Sequence, residues 1–546
     1  MKQNKLLMLV ILITAFLFTS CTKDLNVQPI DPNVNTANNI FSNQASYKQA
    51  LSKVYAGFAL TGQQGGAGNA DLQGIDEGFS SYIRTLWDVQ ELSTDEAIMS
   101  WSDATIKDFH YQTWSTNDVF LMAIYSRIYF TIALSNEFIR NATTAMGSAS
   151  GTFLSDLTHF KAEARFIRAV AYYHAIDLFG NVPLVTEADN AGAFFPQRIT
   201  RANLFTYIES ELKAIDGDLV APKQNEYARA DKACAWFLLA KLYLNASVYT
   251  GTDRSTDALT YINKVIGAGY TLDNNYAHLF TADNNTSPEI IFPISFDGSN
   301  SQTWGGTTFL VSGSEGGSTM ASRGLGSWGG MRAVKEFVGK FNLTQANFAS
   351  TTQYPPNNNP GVDRRAMFFF DAAGGWVWTI PDETGVGTFT DGIGVTKWSN
   401  LSANGSPAPN ANSSFASTDF PMFRFGDVYL MYAEAVVRGG SGGDLATATS
   451  YINLLRQRAY GNTSGNVTSS QVTLSFILDE RAREMYWEGW RRSDLVRFGQ
   501  FTNGSYVWQW KGRTVNGTTT ASYRNLFPIP ANDINANPNL IQNTGY

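Results

Sequence analysis

The chain has 546 residues, 44% of them hydrophobic, 13% aromatic and 16% charged, with a formal net charge of -7. That apolar content excludes a disordered chain. The acidic balance, with lysines and arginines scattered, excludes a nucleic-acid face or a polybasic membrane patch, since both need clustered cations. No mixed-charge or low-complexity linker divides the sequence, so one large domain is expected despite a length that suits several.

In chain order, Lys2 and Lys5 precede an apolar run from Leu6 to Phe18 that ends in Thr19-Ser20-Cys21. The run is too short to span a bilayer and suits a signal peptide, 1–20. Small residues before a cysteine predict lipoprotein processing, with Cys21 acylated and 21–40, rich in Asn, Pro and Asp, as a tether. The alternative is an ordinary secretory signal cut elsewhere, with Cys21 incidental.

From 41 to 546 a single domain is expected. Helical periodicity runs through 47–60, 119–138, 155–179, 204–219, 231–249, 257–266, 427–438, 445–458 and 477–489. Several of these helices carry the tetratricopeptide spacing of a large residue, a second, a small one and an aromatic or aliphatic. Trp236, Leu239, Ala240 and Tyr243 match it most fully; Phe166, Ala169, Val170 and Tyr173 match more loosely, as do Tyr429, Tyr432, Ala433 and Val436. The small residue admits a partner helix, and stacking of hairpins is obligatory because one pair cannot bury its own apolar face. The expectation is a mainly α fold: tetratricopeptide-like hairpins, about 41–280 and 420–500, in a superhelical scaffold. Cys234, in mid-helix, reads as a core residue.

Between about 281 and 419 the pattern breaks into a loop-rich region of Gly, Asn, Ser and Thr with short β-type runs at Ile290–Ile294 and 308–311. Long loops inside a compact domain tend to carry function, as do the loops at 61–117. The tryptophans Trp304, Trp328, Trp376, Trp378 and Trp398 are therefore ligand candidates. Gly324-x-Gly326-x-x-Gly329 spells a dinucleotide fingerprint without its strand, and reads as a loop presenting Trp328. Gly439-Gly440-Ser441-Gly442-Gly443 follows a helix, not a strand, and reads as a helix stop before Asp444 begins the next. The neighbouring carboxylates Asp76-Glu77 and Asp95-Glu96 give no sign of the spaced acid pair of a glycosidase. Four dispersed histidines give no metal-ligand spacing. No catalytic residue, metal or cofactor is expected.

Ala162-Glu163-Ala164-Arg165-Phe166-Ile167-Arg168-Ala169, Leu178-Phe179-Gly180-Asn181-Val182-Pro183 and the Tyr-Ala-Glu end of 424–434 are signature segments. With Glu480-Arg481-Ala482-Arg483-Glu484, Arg491-Arg492-Ser493-Asp494-Leu495 and Phe527-Pro528-Ile529-Pro530 they make the chain resemble the SusD family of outer-membrane nutrient-binding lipoproteins. From spacing alone, Glu480, Glu484, Arg483 and Arg491 read as structural ion pairs. The loops around 60–78, 249–251, 305–307 and 508–512 are further similar to those of the family's starch-binding member.

That resemblance implies a site and partners. A curved α-glucan would lie on an arc of Trp101, Trp304 and Trp328, with Asp76 and Arg84 as polar partners. Ala104 stands where an asparagine is expected, and Asp103 is its substitute. It also implies a SusC-like TonB-dependent transporter as partner, a surface-exposed position on the outer membrane held by the lipid at Cys21, and capture of starch or maltooligosaccharide without bond breaking. The alternatives are a SusD-like binder of another glycan (pullulan-like, fructan or host-derived), a surface glycoside hydrolase, or a tetratricopeptide scaffold that binds only protein.

Overall fold

The computed structural model describes residues 40–41, 43–66, 68–189, 194–316, 320–355, 361–410 and 412–546. The expected signal peptide 1–20, Cys21 and the expected tether up to 39 lie outside the described residues. The chain divides into two compact units, 1–50 and 51–546, with the boundary inside α1 (Gln44–Ala59). In the first unit a reciprocal cap opens α1: Asn43 Oδ1 accepts from Ser46 N at 3.1 Å and Ser46 Oγ from Asn43 N at 2.9 Å. All other elements belong to the second unit.

Two short helices, α2 (Tyr82–Trp87) and α3 (Ile106–Tyr111), precede the long α4 (Val119–Met146) and α5 (Gly151–Leu178), which pack together. Then come α6 (Arg201–Ala214), α7 (Lys232–Leu244), α8 (Ala246–Thr250) and α9 (Ser255–Ile266). After α10 (Gly306–Ser314) and α11 (Lys335–Val338) the stack resumes with α12 (Phe425–Val437), α13 (Leu445–Tyr460) and α14 (Leu474–Met485), followed by α15 (Arg491–Arg497) and α16 (Ala531–Ala536). Because α9 packs on both α7 and α12, the two helical stretches of the sequence form one continuous stack of hairpins. The fold is mainly helical, as the periodicity predicts.

Local chemistry starts and stops these helices. Asp118 Oδ1 accepts from Phe120 N and Leu121 N at 2.9 Å each, and Asp444 Oδ1 from Thr447 N at 2.9 Å, satisfying first-turn donors. Gly439 sits at φ 93° just past α12, the helix stop expected of that glycine run. The helix expected at 231–249 is instead two. Asn245 turns its side chain back to the carbonyl of Lys241 at 3.0 Å and interrupts the run.

The strands are short. β1 (Ile98–Met99) pairs with β5 (Met331–Arg332), β2 (Val182–Pro183) with β3 (Arg198–Ile199), and β6 (Gln353–Tyr354), β7 (Phe368–Phe369) and β8 (Gly394–Val395) form a three-stranded sheet. β4 (Ile290–Ile294) pairs antiparallel with β9 (Phe420–Arg424), so the loop-rich region leaves and re-enters the helical stack at one place. The strand expected at 308–311 is a correction: those residues lie in α10, all nine of whose positions are buried. A short apolar run buried on every side carries no periodicity, and packing overrides the β preference of its threonines and valine.

Ion pairs lock the stack from within. Glu484 meets Arg365 at 3.0 Å, Arg424 at 2.8 Å and Arg458, while Glu480 meets Arg365 at 2.8 Å and Arg483 at 2.6 Å. Arg491 pairs with Asp95 at 2.8 Å. The carboxylates expected to be structural are structural, and Asp95-Glu96 is wholly buried. Cys234 is buried, with Sγ 3.4 Å from the carbonyl of Ile291.

Candidate binding platform

The β1–β5 ribbon, with Ile98 opposite Arg332 and Met99 opposite Met331, brings two distant loops together. Trp101 stands two residues beyond β1, and Trp328 three before β5. Ser100 N donates to Gly330 O at 2.9 Å, continuing the pairing toward the indoles. From the other side, Trp328 N and Gly329 N both donate to Ser312 O of α10, at 2.8 and 3.1 Å. The backbone at Trp328 is therefore held from two sides, by β1 and by α10.

Trp304 is placed by the start of α10. A Cβ at Gly305 would lie 1.7 Å from Ser81 Oγ, so only glycine allows the approach, and Gly306 N donates to that same oxygen at 3.3 Å. Ser81 is also the N-cap of α2, accepting from Arg84 N at 3.3 Å. One serine thus registers both the Trp304 turn and the helix that carries Arg84.

The three indoles form a contiguous series, each half-buried. Ring centroids of Trp101 and Trp328 are 6.1 Å apart at 54°, and those of Trp328 and Trp304 are 6.0 Å apart at 53°. Phe415 backs Trp304 at 4.6 Å, and Phe309 of α10 meets Trp101 edge-on at 5.8 Å.

The polar partners are less open than the sequence suggests. Arg84 is only 6% exposed. Its guanidinium packs 5.3 Å from the Trp101 ring and 4.6 Å from that of Phe309, and Nη1 donates to Gly78 O at 2.9 Å. Burial lowers its pKa, opposed by the carboxylates of Asp88, Asp103 and Asp76. Asp76 is exposed, and its Oδ1 accepts from Gly78 N at 2.6 Å, so Asp76 and Arg84 grip the same residue from its two sides. Asp103 and Ala104 are both exposed. Of the other tryptophans proposed as ligand candidates, Trp398 is fully buried and stacks on Phe420 at 5.6 Å, and Trp376 is buried against Phe369. Trp378 packs on Phe348 and Phe370 at 5.7 and 5.2 Å. Trp376 and Trp398 belong to the local core, and Trp378, half-buried, packs within its own aromatic cluster away from the three platform indoles. Phe309, Phe415 and Ser81 escaped the sequence reading, since nothing marks two phenylalanines among 36.

A sequence profile described as the SusD family matches residues 288–546, and one described as "Starch-binding associating with outer membrane" matches 78–244. The starch-binding protein SusD of Bacteroides thetaiotaomicron is 37% identical over 558 aligned positions, covering 97% of this chain and 96% of that protein. The chain belongs to the SusD family. A SusD homolog of known structure from Bacteroides thetaiotaomicron superposes with a TM-score of 0.69 at 21% identity, covering 94% of this chain and 99% of its own. A laminarin-binding SusD-like protein of known structure gives 0.66 at 22% identity, covering 92% of this chain and 100% of its own. At such identities the two structures speak to the fold alone. Within this SusD-family chain, the two matched segments between them contain Arg84, Trp101, Trp304 and Trp328.

Proposed function

We propose that this SusD-like glycan-binding protein captures a starch-like α-glucan at the cell surface, without cleaving it, and passes it to a SusC-like TonB-dependent transporter in the outer membrane. In this reading acyl chains on Cys21 hold it to the membrane, each buried methylene contributing ~0.8 kcal/mol. The supporting observation is the unbroken series of half-exposed indoles, with Asp76 exposed beside it. A pyranose offers an apolar C–H face to such rings and hydroxyls at its edge to donors and acceptors. By analogy with other aromatic platforms, each stacked sugar gains ~1–3 kcal/mol before ordering costs. Identity to a starch-binding relative along nearly the full chain favours the α-glucan.

Affinity electrophoresis tests this: amylopectin retards the wild type, and Trp101→Ala or Trp304→Ala abolishes or strongly weakens the retardation. A wild type that migrates unretarded by amylopectin overturns the reading, and steady release of reducing ends from the polysaccharide overturns the non-catalytic part. A different glycan is the second reading, favoured by Ala104, which leaves an exposed position without the amide expected there. A polysaccharide panel in the same gels decides between the two.

A further inference from the structure

Beside the three indoles, a large apolar side chain stands in solvent. Phe389 is 46% exposed. Its ring lies against Gly329 and Gly330, where an added Cβ would meet Cδ2 or Cε2 at 3.4 Å. The same Cβ at Gly330 would lie 2.3 Å from Trp101 Nε1, so Phe389 and Trp101 flank one glycine.

The turn carrying Phe389 is anchored. Arg332, buried in β5, donates from Nε to Asp391 O at 2.5 Å, from Nη2 to Thr388 O at 2.7 Å and from Nη1 to Phe389 O. Ser100 Oγ, next to Trp101, donates to Thr388 O at 3.1 Å. Arg332 stands opposite Ile98, so the ribbon that sets Trp101 also sets Phe389. A single exposed phenylalanine is ordinary on a protein surface. One with a clamped backbone, lying against the two glycines beside Trp101 and Trp328, is placed for contact.

Resting on the glycan-binding reading above, we infer that Phe389 forms a further sugar subsite at the Trp101 end, extending the platform to Trp304, Trp328, Trp101 and Phe389. The sugar's apolar face stacks on the ring. Lys107 Nζ, 3.2 Å from where a Cβ at Gly387 would stand, supplies a hydroxyl donor near the same turn. The ligand class is a linear glucan longer than the three indoles cover, and the added selectivity is for chain length.

Calorimetric titration of maltotriose and maltoheptaose into wild type, Phe389→Ala and Trp101→Ala tests the subsite. Phe389→Ala is expected to weaken maltoheptaose about five- to ten-fold, and to leave maltotriose unchanged, while Trp101→Ala weakens both. Unchanged maltoheptaose affinity in Phe389→Ala, with Trp101→Ala impaired, overturns the subsite and leaves the platform standing. Equal weakening of both sugars by Phe389→Ala also overturns it, since Phe389 would then act only by positioning Trp101. A wild type that binds neither sugar overturns the subsite together with the α-glucan reading.

Discussion

The indole Nε1–H of Trp101 donates to the backbone carbonyl of Gly329 at 2.8 Å, so one ring of the platform is oriented by the residue next to another, Trp328. The two rings are one mechanical unit. Their spacing is set by a hydrogen bond and the β1–β5 pairing, and does not depend on the ligand.

Gly330 tests that coupling. Its φ of 95° strains any other L-residue, and a Cβ there would meet Trp101 Nε1 at 2.3 Å. Gly330→Ala should cost roughly 1–3 kcal/mol of stability through backbone strain, yet reduce amylopectin retardation nearly as far as Trp101→Ala. Urea denaturation and affinity gels on the same preparation check both halves. A variant that loses stability but keeps full retardation would show that the indole orientation is unimportant.

Trp398 provides the opposite case. It is fully buried and stacks on Phe420 at an interplanar angle of 5°. Trp398→Ala should destabilise by ~3–5 kcal/mol through lost burial and a cavity, while the folded fraction binds glycan as the wild type does. The denaturation midpoint should fall with m unchanged.

The contrast between Trp398 and Trp304 marks how far the sequence was legible. Helices were readable because apolar residues recur at 3.6 spacing and, after the glycine run, Asp444 stands where a helix begins. The motif resemblance pointed to Trp101, Trp304, Trp328, Arg84 and Asp76, and the structure brings these together. Composition could not separate the tryptophans of the loop-rich region, because burial there is decided by which distant strand each loop meets. Nor could it anticipate that Arg84 lies under an indole, or that 308–311 is helical. Both follow from tertiary packing of α10 against α2, which leaves no local trace.

Glu484 is the anion shared by Arg365, Arg424 and Arg458. Although burial pushes its pKa up, these three guanidinium groups hold it well below the usual carboxylate range. Glu484→Gln keeps the shape and removes the charge, leaving buried cations undercompensated. A loss of ~3–5 kcal/mol is expected, with glycan binding intact at low denaturant. Asp76→Asn, at an exposed carboxylate, is the control that should leave the midpoint unmoved.

Stability should peak in mildly acidic solution, because two sets of buried carboxylates act in opposite directions. Asp95, Glu480, Glu484 and Asp494 are held below their ordinary range by arginines despite burial. Unfolding lets them take up protons near pH ~4, so the stability they provide above that value is lost as the pH falls further. Asp88 behaves the other way. Among the described residues neither of its carboxylate oxygens has a hydrogen-bond partner, and burial raises its pKa to about 8 in spite of Arg84 nearby. Burial likewise raises Glu91 and Asp118 to about 7. From pH ~4 upward the folded chain keeps protons that the unfolded chain releases, so each such group removes up to ~1.4 kcal/mol per pH unit until its own pKa is passed. Asp88→Asn, neutral in both states, should therefore unfold at higher denaturant than wild type near pH ~8.5 and gain much less near pH ~5. Parallel wild-type and variant profiles across that range would mean that Asp88 enters the fold ionised, with Arg84 as its true counter-ion.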